Sequence, residues 1–189
     1  VDSGGVAQTL GGRVEFGTAG GTIRTHTDGG EIRIARLTEP AQLVSGEGAI
    51  SLAGVAAPLR VSTSAGSITA WLSPLFPGGS ASPAGDPGRA GAAGASELVS
   101  GQGDIVVYLP RQVAVTIDAR IERGSNHRIF ADPGLPLDMK YEESAGGSAI
   151  HAGAAMNGGG PVLHLATISG NIHLRLIDGE TGRRLTDQQ

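Results

Sequence analysis

The residues of this chain best suited to metal binding or acid–base chemistry are its five histidines: His26, His127, His151, His164 and His173. His164 and His173 lie in neighbouring strand-like segments, so we expect them to meet across two repeats. A zinc site takes three or four ligands, and no carboxylate occurs from His151 to Arg175. We therefore predict histidines on a polar strand face and no metal site.

Carboxylates are the other group that could do chemistry. A β-helix enzyme that cleaves polysaccharides needs acids grouped on one face, as an acid/base pair or as metal ligands. The candidates are Asp104, Asp118, Asp132, Asp138, Glu142 and Glu143. The outward positions of the repeat strands hold a mixed set instead, namely Arg24, Glu31, Arg33, Ser51, Thr69, Val106 and His173. No stack of acids is predicted, so the pattern favours a protein that is not an enzyme and needs no cofactor.

Two short motifs resemble known sites without completing them. DSGG, from Asp2 to Gly5, resembles the nucleophile loop of trypsin-like proteases, whose histidine and aspartate lie upstream of the serine. The sequence offers no such partners, so Ser3 is not expected to be catalytic. SGQGD resembles the calcium-binding repeat G-G-x-G-x-D, but Asp104 comes one place early. Calcium needs several oxygen ligands, so we interpret SGQGD as structural.

A Pro-, Gly-, Ala- and Ser-rich stretch at residues 73–96 is predicted to be a loop insertion. Trp71, Leu75 and Phe76 lie beside it or inside it, in a chain with 3% aromatic residues. An apolar group in a long loop is typical of a contact with a partner protein or a lipid surface. The alternative is that these residues fold back and cap the side of the domain.

These residues must be positioned by a repeat, because almost the same ten residues occur at 43–52 (LVSGEGAISL) and at 98–107 (LVSGQGDIVV). Their shared element is Gly, any residue, then Ile or Val. It occurs at Gly12, Gly21, Gly30, Gly48, Gly66, Gly103 and Gly170, with a weaker copy at Gly147. The step from Gly30 to Gly48 to Gly66 is 18 residues, and the earlier steps are nine.

The alternation inside each copy predicts a short strand that is half buried. Ile32 and Ile34 point to one side while Glu31 and Arg33 point to the other. Short strands at a fixed period indicate an all-β parallel solenoid, similar to a β-helix, in which each coil buries the apolar face of the next. The alternative is a β-sandwich, whose strands also recur every 8 to 12 residues.

Residues 1–189 are interpreted as a single solenoid domain with the insertion at 73–96 and an irregular excursion at 125–146. The excursion is expected to hold a short strand around residues 137–141. Between the two interruptions lies the strongest strand region, DIVVYLPRQVAVTIDARIE. Pro110 is predicted to divide it into two strands, because proline donates no backbone hydrogen bond.

Composition excludes several classes of function. The chain has no cysteine, which excludes disulfides and thiolate metal sites. Its net charge is −4 and it has no basic stripe, so nucleic acid is not an expected partner. No run of 18 apolar residues occurs, so we expect no transmembrane segment in this chain. It begins with Val1, which leads us to expect a processed chain or a fragment.

The segments VYLPRQVAVTIDARIE, IFADPGLPL and AAMNGGGPVLHLATISGNIHLR resemble the DUF4097 family, whose members are also labelled adhesins. Its closing features correspond here to Asn157–Pro161 and Gly170–Arg175, and the resemblance covers most of residues 10–177. It implies a solenoid similar to a β-helix and an exported, periplasmic or cell-surface location. It implies no enzymatic activity.

The function expected from these observations is a non-catalytic scaffold or accessory subunit of the cell envelope. Its partners would be proteins of a larger membrane-associated assembly, or other copies of itself. The first alternative is an adhesin-like module that binds surface ligands or glycans, and the second is a β-helix carbohydrate-active enzyme.

Overall fold

The computed structural model is an all-β protein with two sheets, and it describes residues 5–19, 23–76, 95–144 and 147–178. Within these ranges one 3-10 turn, Gly124–Asn126, accompanies the strands. The strands are β1 Gly5–Thr9, β2 Val14–Ala19, β3 Ile23–Thr27, β4 Ile32–Leu37, β5 Ala41–Ser45, β6 Ile50–Val55, β7 Leu59–Thr63, β8 Ile68–Leu72, β9 Ser96–Ser100, β10 Ile105–Pro110, β11 Val115–Ile121, β12 Ile129–Ala131, β13 Asp138–Ser144, β14 Gly147–Met156, β15 Val162–Thr167 and β16 Ile172–Ile177.

The strands build a solenoid in which each coil gives one strand to each sheet. The nine-stranded sheet has the order β1-β3-β5-β7-β9-β15-β11-β14-β13, and the seven-stranded sheet has the order β2-β4-β6-β8-β10-β16-β12. The coils therefore stack in the same order in both sheets. All pairs are parallel except those that β14 makes with β11 and β13. This arrangement confirms the predicted solenoid and contradicts the alternative of a β-sandwich.

The strand register explains both repeat lengths in the sequence. Val14 pairs with Ile32, and Ile32 pairs with Ile50, so one full coil takes 18 residues. Nine residues is half a coil, the distance from a strand in one sheet to the next strand in the other. Pro110 ends β10, and the chain then crosses to β11 in the other sheet, as the sequence predicts.

The core lies between the two sheets and consists mainly of isoleucine, leucine and valine. Inward positions alternate with outward ones along each strand, as the burial of β3, β7 and β8 shows. In register, Ile32, Ile50, Ile68, Ile105 and Ile172 form one buried column. Each coil thus hides its apolar side chains against those of its neighbours, which is what holds a solenoid together.

The turns between the two sheets are joined by a ladder of buried hydroxyls and glycines. The N–H of Gly48 donates to Ser45 Oγ (3.0 Å), and Ser45 Oγ donates to the carbonyl of Gly30 in the preceding coil (3.4 Å). The same position is taken by Thr27, Thr63, Ser100 and Thr167 in the other coils. A Cβ at Gly48 would overlap the carbonyl oxygen of Gly30, so this turn requires glycine.

The last coil in the chain is not the last coil in the stack. Strands β15 and β16 lie between the coil β9–β10 and the coil β11–β12, and they pair with both. The chain therefore leaves a gap of one coil after β10 and fills it later. The antiparallel hairpin β13–β14 covers the end of the nine-stranded sheet. Gly147, the weak copy of the repeat, begins β14 and pairs in register with Ser144 of β13.

The two predicted interruptions have definite ends. The excursion at 125–146 contains β12 and β13 among its described residues, so its strand is longer than the predicted 137–141. The insertion predicted at 73–96 begins with a turn at 73–76 and ends before Ser96, which is buried in β9. Residues 77–94 lie outside the described part of the chain.

Adjacent glycines give a matched test of the ladder. A Cβ at Gly30 would overlap the carbonyl oxygen of Gly12, whereas a Cβ at Gly29 would meet nothing within 4 Å. We expect Gly30→Ala to lower the free energy of unfolding by about 3 kcal/mol or more, because backbone must move. Gly29→Ala should change it by less than about 1 kcal/mol. Urea unfolding measures both, and equal losses would contradict the ladder.

One buried hydroxyl differs from those of the ladder, and we expect its removal to stabilise the protein. Thr25 is 3% exposed, and its Oγ1 has no hydrogen-bond partner among the described residues. Thr25→Val should raise the free energy of unfolding by about 1 kcal/mol, because it removes an unpaired buried polar group.

The control is Thr63→Val, because Thr63 Oγ1 accepts a hydrogen bond from the Gly66 N–H. The free energy of unfolding of this second variant should fall by about 1–3 kcal/mol. Thermal unfolding of the two proteins should therefore show shifts of opposite sign, and shifts of the same sign would refute the assignment.

Candidate functional site

Chemistry-bearing side chains gather on the outer face of each sheet. Inward positions are filled by the core, so the outward positions are the ones that can meet a ligand. Because neighbouring coils pair in register, residues far apart in the sequence become neighbours in columns that run across the strands. Two groups arise in this way, one on each sheet.

The first group, here named the aromatic row, lies on the seven-stranded sheet and consists of Trp71, Tyr108, Phe130 and His173. Trp71 on β8 pairs in register with Tyr108 on β10. Their ring centroids are 4.8 Å apart and the ring planes differ by 2°. Parallel strands lie about 4.8 Å apart, so the strand spacing alone brings the rings to stacking distance.

The second stacked pair of the aromatic row lies two strands away and two residues along the strands, because His173 is in register with Val106 and Tyr108 with Arg175. Phe130 on β12 pairs with His173 on β16, and their rings stack with centroids 4.8 Å apart. Phe130 is 45% exposed, while the other three rings are half-buried. Parts of these rings therefore reach solvent on one face of the molecule.

Polar groups accompany the rings. Arg175 pairs in register with Tyr108, and its Nη1 lies 3.2 Å from Asp132 Oδ1. Asp132 Oδ2 accepts a hydrogen bond from the Leu176 N–H at 3.0 Å. The carboxylate thus fixes the guanidinium beside the aromatic row, where both groups remain partly exposed.

A second ion network marks the same sheet near its other end. Glu31 lies between Arg13 and Arg33, with N–O distances of 3.1 Å and 2.6 Å. The hydrogen bond from Arg33, followed by the charges of Arg33 and Arg13, lowers the pKa of Glu31. This carboxylate is therefore an ion-pair partner and has no feature of a proton donor.

The three residues predicted to contact a partner are placed differently by the structure. Trp71 belongs to the aromatic row, and Leu75, in the turn after β8, is 75% exposed. Phe76 is 4% exposed and packs in the core. Phe76 thus takes the position expected from the alternative, in which the segment folds back onto the solenoid. Trp71 and Leu75 stay candidates for the contact.

The second group lines a groove on the nine-stranded sheet, at the end covered by the hairpin β13–β14. One part of the groove, of about 330 Å³, is lined by Asp118, Asp138, Lys140, Glu142 and His151. A second part of about 470 Å³ shares Asp118 and His151 with the first and extends to Arg60, Glu97 and His164.

Register explains how the groove forms. Asp118 on β11 pairs with Gly153 on β14, which pairs with Asp138 on β13. Gly153 has no side chain, so a gap remains between the two aspartates. His164 Nδ1 lies 3.0 Å from Asp118 Oδ2, and His151 Nε2 lies 3.7 Å from Glu142 Oε2. The groove therefore combines histidines and carboxylates with basic side chains.

This grouping differs from what the sequence predicts. The sequence predicts a mixed set of side chains on the outward face of the repeat strands. Asp118, Asp138 and Glu142 nevertheless line one groove, because β13 and β14 pair antiparallel outside the repeat. The expected meeting of His164 and His173 is wrong, since they lie on opposite sheets. Within the described ranges, no group of three His, Cys, Asp or Glu side chains could hold a metal ion.

The two motif-like segments have different outcomes. Asp104 Oδ1 accepts hydrogen bonds from the backbone N–H and the side-chain amide of Asn171, at 2.7 Å and 3.2 Å. Its carboxylate joins two coils, in line with the structural interpretation of SGQGD. Ser3, from the DSGG motif, lies outside the described residues.

None of the described helical segments is long and apolar enough to cross a membrane. Comparison with known proteins gives no match to a family model, to a curated protein or to a solved structure.

Proposed function

We propose that this protein is a non-catalytic interaction scaffold that binds a partner protein through the aromatic row and Leu75. The observation that carries the proposal is the gathering of Trp71, Tyr108 and Phe130 on one sheet face of a chain that has six aromatic residues in all.

The composition of this surface is that of a protein-binding hot spot. Tryptophan, tyrosine and arginine are the residues whose truncation most often weakens protein complexes. Here Tyr108 lies in register between Trp71 and Arg175, and the exposed Leu75 lies in the turn that follows β8. Exposed apolar groups rimmed by polar residues are typical of interaction surfaces.

The surface is also rigid. Trp71, Tyr108 and His173 sit on strands that are paired on both sides, and the rings support each other by stacking. A preorganised surface loses little conformational entropy on binding, which favours affinity. The fold therefore suits a scaffold that presents fixed side chains to a partner.

The proposed setting is the cell envelope, with the protein exported to the periplasm or the cell surface. The support for this is the resemblance of the closing motif, Asn157–Pro161 and Gly170–Arg175, to a family of envelope proteins. In this setting the partner is a protein of a larger membrane-associated assembly.

Gentle purification from the native envelope followed by mass spectrometry identifies the partner, and substitution of the row then tests the surface. We expect Trp71→Ala combined with Tyr108→Ala to weaken partner binding by about 30-fold or more, since a hot-spot residue contributes about 2 kcal/mol. Calorimetry or surface plasmon resonance with the purified partner measures the affinity.

The matched control is Tyr141→Ala, which removes an exposed aromatic ring from the nine-stranded sheet (68% exposed). It should leave binding unchanged. Phe76 is unsuitable for this test because it is buried, so Leu75→Ser replaces it. If a folded Trp71→Ala, Tyr108→Ala protein binds the partner as tightly as the unaltered chain does, the proposal is wrong.

A second candidate is an adhesin-like module that binds glycans on the same face. The partly exposed rings could stack on sugar rings, and the neighbouring Arg175–Asp132 pair could hydrogen-bond to sugar hydroxyls. Retention of the protein on insoluble polysaccharide, lost in the Trp71→Ala, Tyr108→Ala variant and with no protein co-eluting from the envelope, would favour this candidate over the first.

A further inference from the structure

We propose that two copies of this chain exchange the coil β15–β16, residues 162–177, and so form a reciprocal dimer. In this dimer, the gap between the coils β9–β10 and β11–β12 of each copy is filled by residues 162–177 of the other copy. This inference rests on the topology and is independent of the proposed function.

The exchanged coil is a separable unit that both halves of the solenoid need. In the nine-stranded sheet β15 pairs with β9 on one side and β11 on the other, and in the seven-stranded sheet β16 pairs with β10 and β12. Its side chains Leu163, Leu165, Ile172 and Leu174 are at most 1% exposed. Without this coil, the residues up to the end of β14 therefore leave a gap with four unpaired strand edges, one each on β9, β10, β11 and β12.

A coil from a second copy fills the gap with the same contacts. The pairs Leu165–Leu98 and Ile117–Leu163, and the hydrogen bond from Thr167 Oγ1 to the Gly103 carbonyl, depend only on local register. The exchanged dimer therefore keeps every core contact of the monomer. Only the connection between β14 and β15 distinguishes the two forms, which is the usual condition for domain swapping.

That connection is a short turn with an unusual backbone. It runs through residues 157–161, and Asn157, Gly158 and Gly159 have φ values of 50°, 86° and 80°. Asn157 Nδ2 donates to the carbonyls of Arg111 and Val113, both at 2.8 Å, which holds the turn closed. The hinge has only five residues between Met156 and Val162, and short hinge loops favour exchange between copies.

The exchange also has a consequence for binding. A dimer carries two copies of the aromatic row on one particle, so a partner with two sites, or an array of partners, is bound with avidity. The coil is held on both edges, so we expect exchange during folding at high chain concentration and little exchange between folded monomers.

Cysteine pairing tests the exchange directly, because the chain has no cysteine of its own. His164 on β15 and Asp118 on β11 are register partners with exposed side chains. We mix the single variants His164→Cys and Asp118→Cys, unfold and refold them together, and then oxidise them. In an exchanged dimer the two thiols of different chains lie at a separation that suits a disulfide.

The expected product is a covalent heterodimer. At about 10 µM protein, thiols held at an effective concentration in the millimolar range should oxidise on the order of 100-fold faster than thiols that meet by diffusion. The control pair is Gln42→Cys with Arg60→Cys, register partners that both lie outside the exchanged coil. No excess of heterodimer over this control would refute the exchange.

Hinge length gives a second readout on the otherwise unaltered chain. Deletion of Gly158 and Gly159 should raise the dimer fraction in light scattering, because the coil can no longer fold back onto its own chain. Insertion of a short Gly/Ser segment after Gly159 should lower it. A dimer fraction that does not change with hinge length in either direction would overturn the proposal, since any dimer would then form in another way.

Discussion

The contact on which the rest of this structure depends is the close approach of the turns in neighbouring coils. The backbone of Gly48 lies directly against the carbonyl of Gly30, and the hydroxyl of Ser45 connects the two turns. A side chain at Gly48 would separate the coils, and the strands that follow would lose their pairing. The buried hydroxyl also satisfies a backbone N–H that the turn leaves without a strand partner. Spacing, register and core packing all follow from this contact.

The fixed strand register determines which side chains lie next to each other on the outer faces of the solenoid. Trp71 and Tyr108 are separated in sequence by the whole insertion after β8, yet their rings stack, because β8 and β10 are adjacent. The same rule places His164 beside Asp118. A side chain on one coil thus determines what its neighbour one coil away can contact. The Trp71–Tyr108 stack and the pair of His164 with Asp118 are thus products of one geometric constraint, one on each sheet.

The sequence predicts the solenoid well and the surfaces poorly, for a physical reason. Glycine spacing and alternation are local, so the repeat at Gly30, Gly48 and Gly66 indicates coils and their period. The order in which coils stack is not local. The segment at Gly170 resembles any other coil, and nothing in it indicates that β15–β16 enters between two earlier coils. Without that order, neither the Phe130–His173 stack nor the pair of His164 with Asp118 can be derived.

The groove owes its existence to the need to end the repeat. An open strand edge invites association, and charged residues on the last strand are a common protection against it. β13 is the end strand of the nine-stranded sheet and carries Asp138, Lys140 and Glu142. In register, Asp138 faces Asp118 across Gly153, and Lys140 lies opposite His151 on β14, so these side chains reach the groove. The charges that protect the edge therefore also line the groove, so the groove's acids have a structural reason to be there before any ligand is considered.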